Sequence, residues 1–310
     1  MRLAIIDLGT NTFNLLIADL LKDGSYKRVY KTKIAVKLGE GGINNNHIEP
    51  VPFKRGIKAL KKHKETIDEY VVDKIIAFAT SGIRSASNGN DFVQKAKEKA
   101  GLDIQVISGE REAELIYYGI RQAVKLSDAT SLIIDIGGGS TEFIIANKDT
   151  IFWKESFLLG AARLLERFNP SDPMSEKEAE TLNNYLIAEL APLFEAVKKY
   201  PITEMVGSSG SFDSLAEMIA HKYYSIDILK DVTEYTFNLE DCYQIYLQLL
   251  TSTKAERIQM PGLAEMRVDM MVISAIFVHL IITQLDIEKM RLSRYSLKEG
   301  VLAQAVLGNI

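Results

Sequence analysis

The chain carries two copies of one short pattern, in which an apolar run ends in Asp-Xaa-Gly and a small hydroxyl residue follows. The first copy, LAIIDLGTNTFNLLIAD, begins at Leu3, and the second, LIIDIGGGSTEFIIA, begins at Leu132. Each copy predicts a β-hairpin, made of a buried strand, a tight glycine turn and a second strand. The repetition predicts two similar half-molecules whose turns face each other across one cleft.

The predicted turns are suited to holding phosphate. Glycine lets the main chain approach an anion closely, so that its N–H groups and the neighbouring hydroxyl and amide side chains donate to phosphate oxygens. Asp7 and Asp135 stand at the shoulders of the turns, where they would orient a hydrated Mg²⁺ on the phosphates. The alternative is that both aspartates only cap turns. The predicted phosphate-binding residues of the turns are Gly9, Thr10, Asn11, Gly137, Gly138, Gly139, Ser140 and Thr141.

Composition narrows the class of protein. With 310 residues, of which 47% are hydrophobic and 25% charged, the chain is long enough for two globular domains. A formal charge of −4 argues against a general nucleic-acid binder or a membrane-surface protein. The apolar stretch from Met270 to Leu285 is shorter than the roughly 20 residues that cross a bilayer, and we expect a buried helix there. We expect no leader, because Leu3 directly enters a core strand, and the single cysteine, Cys242, favours the cytoplasm.

Alternating strands and helices predict an α/β fold with two domains, residues 1–124 and 125–310. The polar segment 125–131 precedes the second hairpin and is the predicted hinge. In the first domain we expect three strands by about residue 46, helices at about 52–70, 91–100 and 109–124, strands ending at Thr80 and Ser108, and a loop at 81–90. In the second we expect a hairpin with an extra strand, a helix at 175–199, a strand with a glycine turn at 206–211, and helices near 212–224, 239–255 and 267–285.

Carboxylates between and within the two patterns are candidates for catalysis. Glu110, Glu112 and Glu114 open a helix after Ser108, and by themselves they are explained by the helix dipole. Glu142 differs from these three residues because it lies at the start of an otherwise apolar strand, where we expect a carboxylate to have a functional role.

Two further loops are candidates for phosphate binding. Arg84 follows a strand end, where its guanidinium would clasp a phosphate in fork geometry, although a solvated arginine is an equal alternative. Ser208 lies in the glycine and serine turn VGSSGS, which would contact a phosphate or merely start a helix. The four histidines show no metal-ligand spacing.

Several segments together resemble, in order and spacing, the exopolyphosphatase and guanosine pentaphosphate (pppGpp) phosphohydrolase family. They are DLGTNTFNLLIAD, ATSGIRSASN, VISGEREAELI, IDIGGGSTEFII and MVGSSGS, with PGLAEMRVDMMVISA and LKEGVL as closing motifs. The resemblance covers essentially the whole chain. It implies two ribonuclease H-like lobes, as in actin, Hsp70 and sugar kinases, around a central cleft, and a hydrolase that releases terminal orthophosphate from polyphosphate or pppGpp with Mg²⁺ or another divalent cation.

The resemblance also implies roles for individual residues. Glu112 becomes the general base that activates water, while Glu110 stays on the surface. Asp135 and Glu142 match the family's metal-binding and water-positioning carboxylates, and Asp7 matches the acid of the first phosphate loop. Arg84 and Arg267 match arginines associated with the phosphate chain.

The chain departs from the family pattern at two points. Lys298 stands where arginine usually precedes Glu-Gly, which keeps the charge but loses the bidentate fork. Long members carry additional C-terminal helical domains, so processive action on long chains is not expected here.

Two rival functions stay open on the sequence. An actin-fold kinase would transfer phosphate to a small acceptor, and a non-catalytic sensor would bind pppGpp or a nucleotide and change its lobe angle. The sequence does not choose between polyphosphate and pppGpp, and it leaves the oligomeric state open, with a homodimer as one option.

Overall fold

The first predicted hairpin is present, and further strands extend it into a sheet. The computed structural model describes residues 1–21 and 25–310. Within that part of the chain, the first sheet has five strands, β1 (Arg2–Leu8), β2 (Thr12–Leu20), β3 (Tyr26–Ala35), β4 (Lys74–Ala79) and β5 (Ile104–Val106). Its helices are α1 (Pro50–Glu69), α2 (Ser81–Arg84), α3 (Gly89–Ala100) and α4 (Gly109–Ala123).

The second predicted hairpin forms the centre of a second sheet. Among the described residues this sheet has six strands, β6 (Ser131–Ile136), β7 (Thr141–Ala146), β8 (Ile151–Phe157), β9 (Glu204–Ser208), β10 (Glu234–Thr236) and β11 (Met290–Ser293). The helices are α5 (Ala161–Phe168), α6 (Glu176–Glu189), α7 (Ala191–Lys199), α8 (Ser209–Tyr223), α9 (Leu239–Thr251), α10 (Lys254–Ile258), α11 (Met271–Gln284) and α12 (Leu297–Val306).

The two sheets share one topology. The first has the order β3-β2-β1-β4-β5, and the second has β8-β7-β6-β9-β11, followed by β10. In each, three antiparallel strands are followed by two strands that run parallel to the hairpin's first strand, and in the second sheet β10 then pairs antiparallel to β11. This repeated order confirms the predicted α/β class with two ribonuclease H-like lobes.

Several predicted element boundaries were wrong for local reasons. The loop predicted at 81–90 contains α2 and the start of α3, because buried Ile83 is held in a helical turn. The helix predicted at 175–199 is broken at Leu190, since Pro192 lacks an N–H and its ring clashes with the preceding helical turn. The predicted turn at 206–211 is instead the end of β9 and the first turn of α8.

Other elements of the second half also differ from the prediction. The helix predicted at 239–255 ends at Thr251, and the one at 267–285 begins at Met271 after a short 3-10 turn. Four elements, α5, β10, β11 and α12, were not predicted from the sequence. β10 and β11 have three and four residues, which is too few to show a hydrophobic period. α5 is amphipathic but has only eight residues, and α12 shows no amphipathic period.

The lobes are joined by a hydrophobic cluster between the two sheets. It brings Ile5 of β1 and Ile144 of β7 together with Ile116 of α4 and Val301 of α12. At the crossing of α4 and α12, Gly119 and Gly300 let the two backbones touch, because a Cβ on Gly300 would lie 1.7 Å from the Leu115 carbonyl oxygen. The last helix of the chain therefore packs against the first lobe.

The most apolar helix is internal, as predicted. From Met271 to Ala275 every residue of α11 is buried, and the helix packs against α5, α6, α8 and α9. In the described residues, no helix has both the length and the hydropathy that a bilayer crossing requires.

Candidate active site

The turns of the two hairpins meet at one cavity of about 430 Å³. A Cβ on Gly139 would lie 2.4 Å from Thr10 Oγ1, and a Cβ on Gly138 would lie 2.9 Å from Asn11 Nδ2. Only glycine allows this approach, so the residue type at these positions sets the spacing between the loops. The predicted phosphate-binding residues that line the cavity are Gly9, Thr10, Asn11, Gly137, Gly138, Gly139, Ser140 and Arg267.

Three predicted phosphate-binding residues lie outside the cavity lining and have other partners. Thr141 Oγ1 donates to the Leu159 carbonyl (3.0 Å), and Ser208 Oγ donates to Asp135 Oδ2 (2.6 Å). Arg84 Nη1 donates both to the Ile107 carbonyl and to Glu112 Oε2. Their direct roles in phosphate binding stay predictions, and the structure shows each of them supporting a neighbouring group.

Asp7 and Asp135 line the cavity from opposite lobes. Asp7 accepts a hydrogen bond from Asn14 Nδ2 (2.9 Å), and burial raises the pKa of its carboxyl group despite the opposing effect of Lys298. Asp135 is 6% exposed and accepts from the hydroxyl groups of Ser208 and Ser296. Each carboxylate therefore has a fixed orientation and faces the space between the loops.

Glu112 faces the same cavity from the first turn of α4. Ser108 caps this helix by accepting a hydrogen bond from the Arg111 N–H (3.1 Å), which fixes where the helix begins. Glu112 is only 7% exposed, and burial, followed by repulsion from Glu142, raises the pKa of its carboxyl group well above the usual range. Glu110, two residues earlier, is exposed, as predicted.

Glu142 lies on β7 directly opposite Asp135 in the strand ladder. Its Oε1 accepts hydrogen bonds from Ser140 Oγ (2.6 Å) and Ser156 Oγ (2.7 Å). Burial and the nearby charge of Asp135 raise the pKa of the Glu142 carboxyl group to about 7. Glu142 lies behind the cavity lining, next to Ser140, so that it reaches the cavity through that hydroxyl.

Arg163 connects the second phosphate loop to the first lobe, and we call this connection the Arg163 latch. This residue follows the second hairpin on α5, and its guanidinium donates to the carbonyl groups of Gly139 (3.0 Å) and Ile43 (2.7 Å) and to Ser85 Oγ (3.2 Å). It thus ties the second phosphate loop to two segments of the first lobe. A buried arginine on an amphipathic helix is not distinguishable by spacing from a surface one, which is why no sequence signal marked it.

Other charged groups of the cavity lining were also missed, apart from Arg267 and the motif residue Lys298. Lys33 is the one that strand pairing could have predicted. It lies opposite Asn14 on β2, and Asn14 lies opposite Asp7 on β1, so the three residues share one row across the sheet. The additional charged lining residues are Lys31, Lys33, Asp213, Glu217, Arg294 and Lys298. Burial disfavours the charge of Lys298, but Glu299, Asp7 and Asp135 outweigh that effect and raise its pKa.

The donor set suits a hard divalent cation that shares its ligands with a phosphate. Asp7 and Asp135 offer carboxylate oxygens, and Thr10 and Ser140 offer hydroxyl groups. Within the described ranges, no group of three or more histidine, cysteine, aspartate or glutamate side chains is arranged to hold a metal ion alone. Mg²⁺ commonly binds through one or two carboxylates together with water and substrate phosphates, which is the arrangement these residues permit.

The chain is similar to known proteins over nearly its whole length. The family model described as the Ppx/GppA phosphatase family matches residues 17–308. An exopolyphosphatase from Cytophaga hutchinsonii, known from a crystal structure, has a sequence 40% identical to this chain and a TM-score of 0.94. The match covers 99% of this chain and 98% of that chain. The Aquifex aeolicus member of the Ppx/GppA family is 25% identical, with a TM-score of 0.81 and the same coverage of both chains. The chain therefore belongs to the Ppx/GppA phosphatase family.

Proposed function

We propose that the cleft releases the terminal orthophosphate of inorganic polyphosphate, and of pppGpp where that substrate is present, by attack of water. Membership of a phosphatase family makes the chain a hydrolase of phosphoanhydride bonds. The observation that carries the proposal is the position of Glu112, a buried carboxylate that faces the same cavity as both phosphate loops.

In this proposal the two phosphate loops bind the substrate and the general base activates the water. Backbone N–H groups around Gly9 and Gly138, with the Thr10 hydroxyl, would hold the terminal phosphate and disperse its charge. Glu112 would take a proton from a water molecule aligned with the scissile bond, and its raised pKa makes the deprotonated carboxylate a stronger base. Glu142 would orient this water through Ser140.

The reaction balances without a further reactant. The water oxygen bonds to the terminal phosphorus while the bond from phosphorus to the bridging oxygen breaks. The proton passes to Glu112, and orthophosphate and a chain shorter by one phosphate leave. A Mg²⁺ held by Asp7 and Asp135 would neutralise phosphate charge as the transition state forms.

Phosphate release from tripolyphosphate, long-chain polyphosphate and pppGpp tests the proposal, with Mg²⁺ present and then chelated. We expect release that depends on Mg²⁺ and needs no acceptor. Release only together with a phosphorylated small acceptor would make the protein a kinase, and binding without turnover would make it a sensor; either result would overturn the proposal.

A cytoplasmic location is part of the same proposal. The single cysteine of the sequence, Cys242, is a buried free thiol, which suits a reducing compartment. Fractionation of cells that produce the protein tests this location, and recovery outside the cytoplasm would contradict it.

A further inference from the structure

Besides the phosphate loops, the cavity lining carries a mixture of charged side chains. Basic side chains reach it from both lobes, with Lys31 and Lys33 on β3 facing Arg267, Arg294 and Lys298. A carboxylate, Asp213, lines the same space from the second turn of α8, and Glu217 follows it one helical turn later. In this set the basic groups outnumber the acidic ones, so these side chains together attract anions although two of them are negatively charged.

Asp213 lies among cations without a direct partner. In the parts of the chain that the structure describes, its side chain has no hydrogen bond and no ion pair within 4.0 Å. Arg294, Arg267, Lys31 and Lys298 nevertheless act on it electrostatically, and they oppose the effect of burial on its carboxyl group. Asp213 is therefore a counter-ion that these cations share at a distance.

Two of these cations are equally free of direct partners. Among the described residues, the side chains of Arg267 and Lys298 have neither a hydrogen bond nor an ion pair within 4.0 Å. The Arg267 guanidinium packs on Gly210, in the first turn of α8, where a side chain would collide with it. Both side chains are partly exposed to solvent, and phosphate oxygens are the natural complement of these two charged groups.

We propose that Asp213 is a specificity-determining residue that limits how many phosphates of a chain the cleft accepts. The inference rests on the proposed function. A short chain would place its end in the loops and its next phosphates beside Arg267 and Lys298. Each further phosphate adds negative charge beside the Asp213 carboxylate, and like charges held close together repel strongly in a partly buried site. Short chains are accepted and longer ones are disfavoured.

Replacing Asp213 with asparagine tests this inference, because the amide keeps the shape and removes the charge. We expect the ratio of kcat/KM on long-chain polyphosphate to kcat/KM on tripolyphosphate to rise about fivefold in D213N. The rise should lie mainly in KM and shrink at high salt, since salt screens the repulsion. Binding of long-chain polyphosphate under chelation, followed by calorimetry, should tighten by a similar factor.

Glu180→Gln is the matched control, because Glu180 is exposed on α6 outside the cavity lining and its loss changes net charge equally. E180Q should keep the wild-type ratio. Asp213→Ser provides a second variant if D213N does not fold. An unchanged ratio in a folded Asp213 variant would overturn the inference, and so would an equal rise in E180Q. A wild-type protein that releases no phosphate from any chain would instead refute the proposed function.

Discussion

Arg84 and Glu112 form an ion pair in the first lobe, with Arg84 Nη1 donating to Glu112 Oε2 over 2.7 Å. The sequence pattern associates this arginine with the phosphate chain, whereas the contact couples it to the proposed base. Its charge and its hydrogen bond lower the pKa of Glu112 and oppose the larger effect of burial. Arg84 is therefore placed to set the pH at which Glu112 becomes a proton acceptor.

Removing the proposed base should abolish most of the activity. Glu112→Gln keeps the size of the side chain but cannot accept a proton, and we expect kcat for phosphate release to fall about a hundredfold or more. Steady-state kinetics on tripolyphosphate measures the change. Glu110→Gln is the control, because Glu110 lies on the same helical turn but is exposed. Full activity in E112Q would show that another group activates the water.

Removing Arg84 should move the pH profile. In Arg84→Met the pKa of Glu112 loses an opposing influence and rises further, so the acidic limb of kcat/KM against pH should shift to higher pH. Arg111→Met, which removes an arginine paired with Glu114 instead, should leave the limb in place. A higher KM with an unshifted limb would show that Arg84 binds phosphate directly.

The Arg163 latch should contribute to stability and to substrate affinity. Arg163→Met leaves the carbonyl groups of Gly139 and Ile43 without their donor, and we expect the free energy of unfolding to fall by about 3 kcal/mol. KM should rise because the second loop is less well fixed. Denaturant unfolding and kinetics measure both effects. Arg167→Met, which removes a cation stacked on Tyr185, is the control, and equal losses in the two variants would contradict this role.

The buried carboxylates should make the chelated protein less stable as pH rises. The pKa of Glu142 is about 7 in the folded protein against 4.5 for the free side chain, so its protonated form is favoured by folding. The stability that protonated Glu142 contributes is complete below about pH 4.5 and is lost as pH rises through about 7. The free energy of unfolding should fall by on the order of 3 kcal/mol over this range. Asp7 and Glu112 shift in the same direction.

Thermal unfolding in chelator at about pH 5 and about pH 8 measures this dependence. We expect a lower midpoint at the higher pH, and a smaller difference in Glu142→Gln. Carboxyl groups with lowered pKa values, such as that of Asp19, are already charged at both pH values and do not contribute. A midpoint that rises with pH in the wild type and in E142Q alike would contradict the prediction.

The parts of the fold that the sequence predicted are those with strong local signals. Both hairpins follow from buried strands that flank glycine turns, and α4 follows from its Ser108 cap and its apolar period. Short elements such as α2 and β10 were missed, because four or three residues carry too little periodicity to be recognised.

Residues of the candidate site were likewise predicted where they belong to a local sequence motif and missed elsewhere. Asp7, Glu112 and Asp135 are brought to one cavity as expected, since each belongs to a local motif. Arg163 and Asp213 were missed, because their importance arises from contacts between distant segments, which spacing does not encode. Their roles depend on the two lobes being packed together.

The crossing of α4 and α12 at Gly119 and Gly300 limits where the chain can be divided into two fragments that fold separately. The final helix, α12, follows the second hairpin in the chain and belongs to the predicted second domain, yet it packs against α4 and covers hydrophobic residues of the first lobe. Severing the polypeptide at 125–131 would leave the leading fragment with an uncovered apolar flank. For both fragments to have a covered hydrophobic core, α12 would have to be fused to the N-terminal fragment.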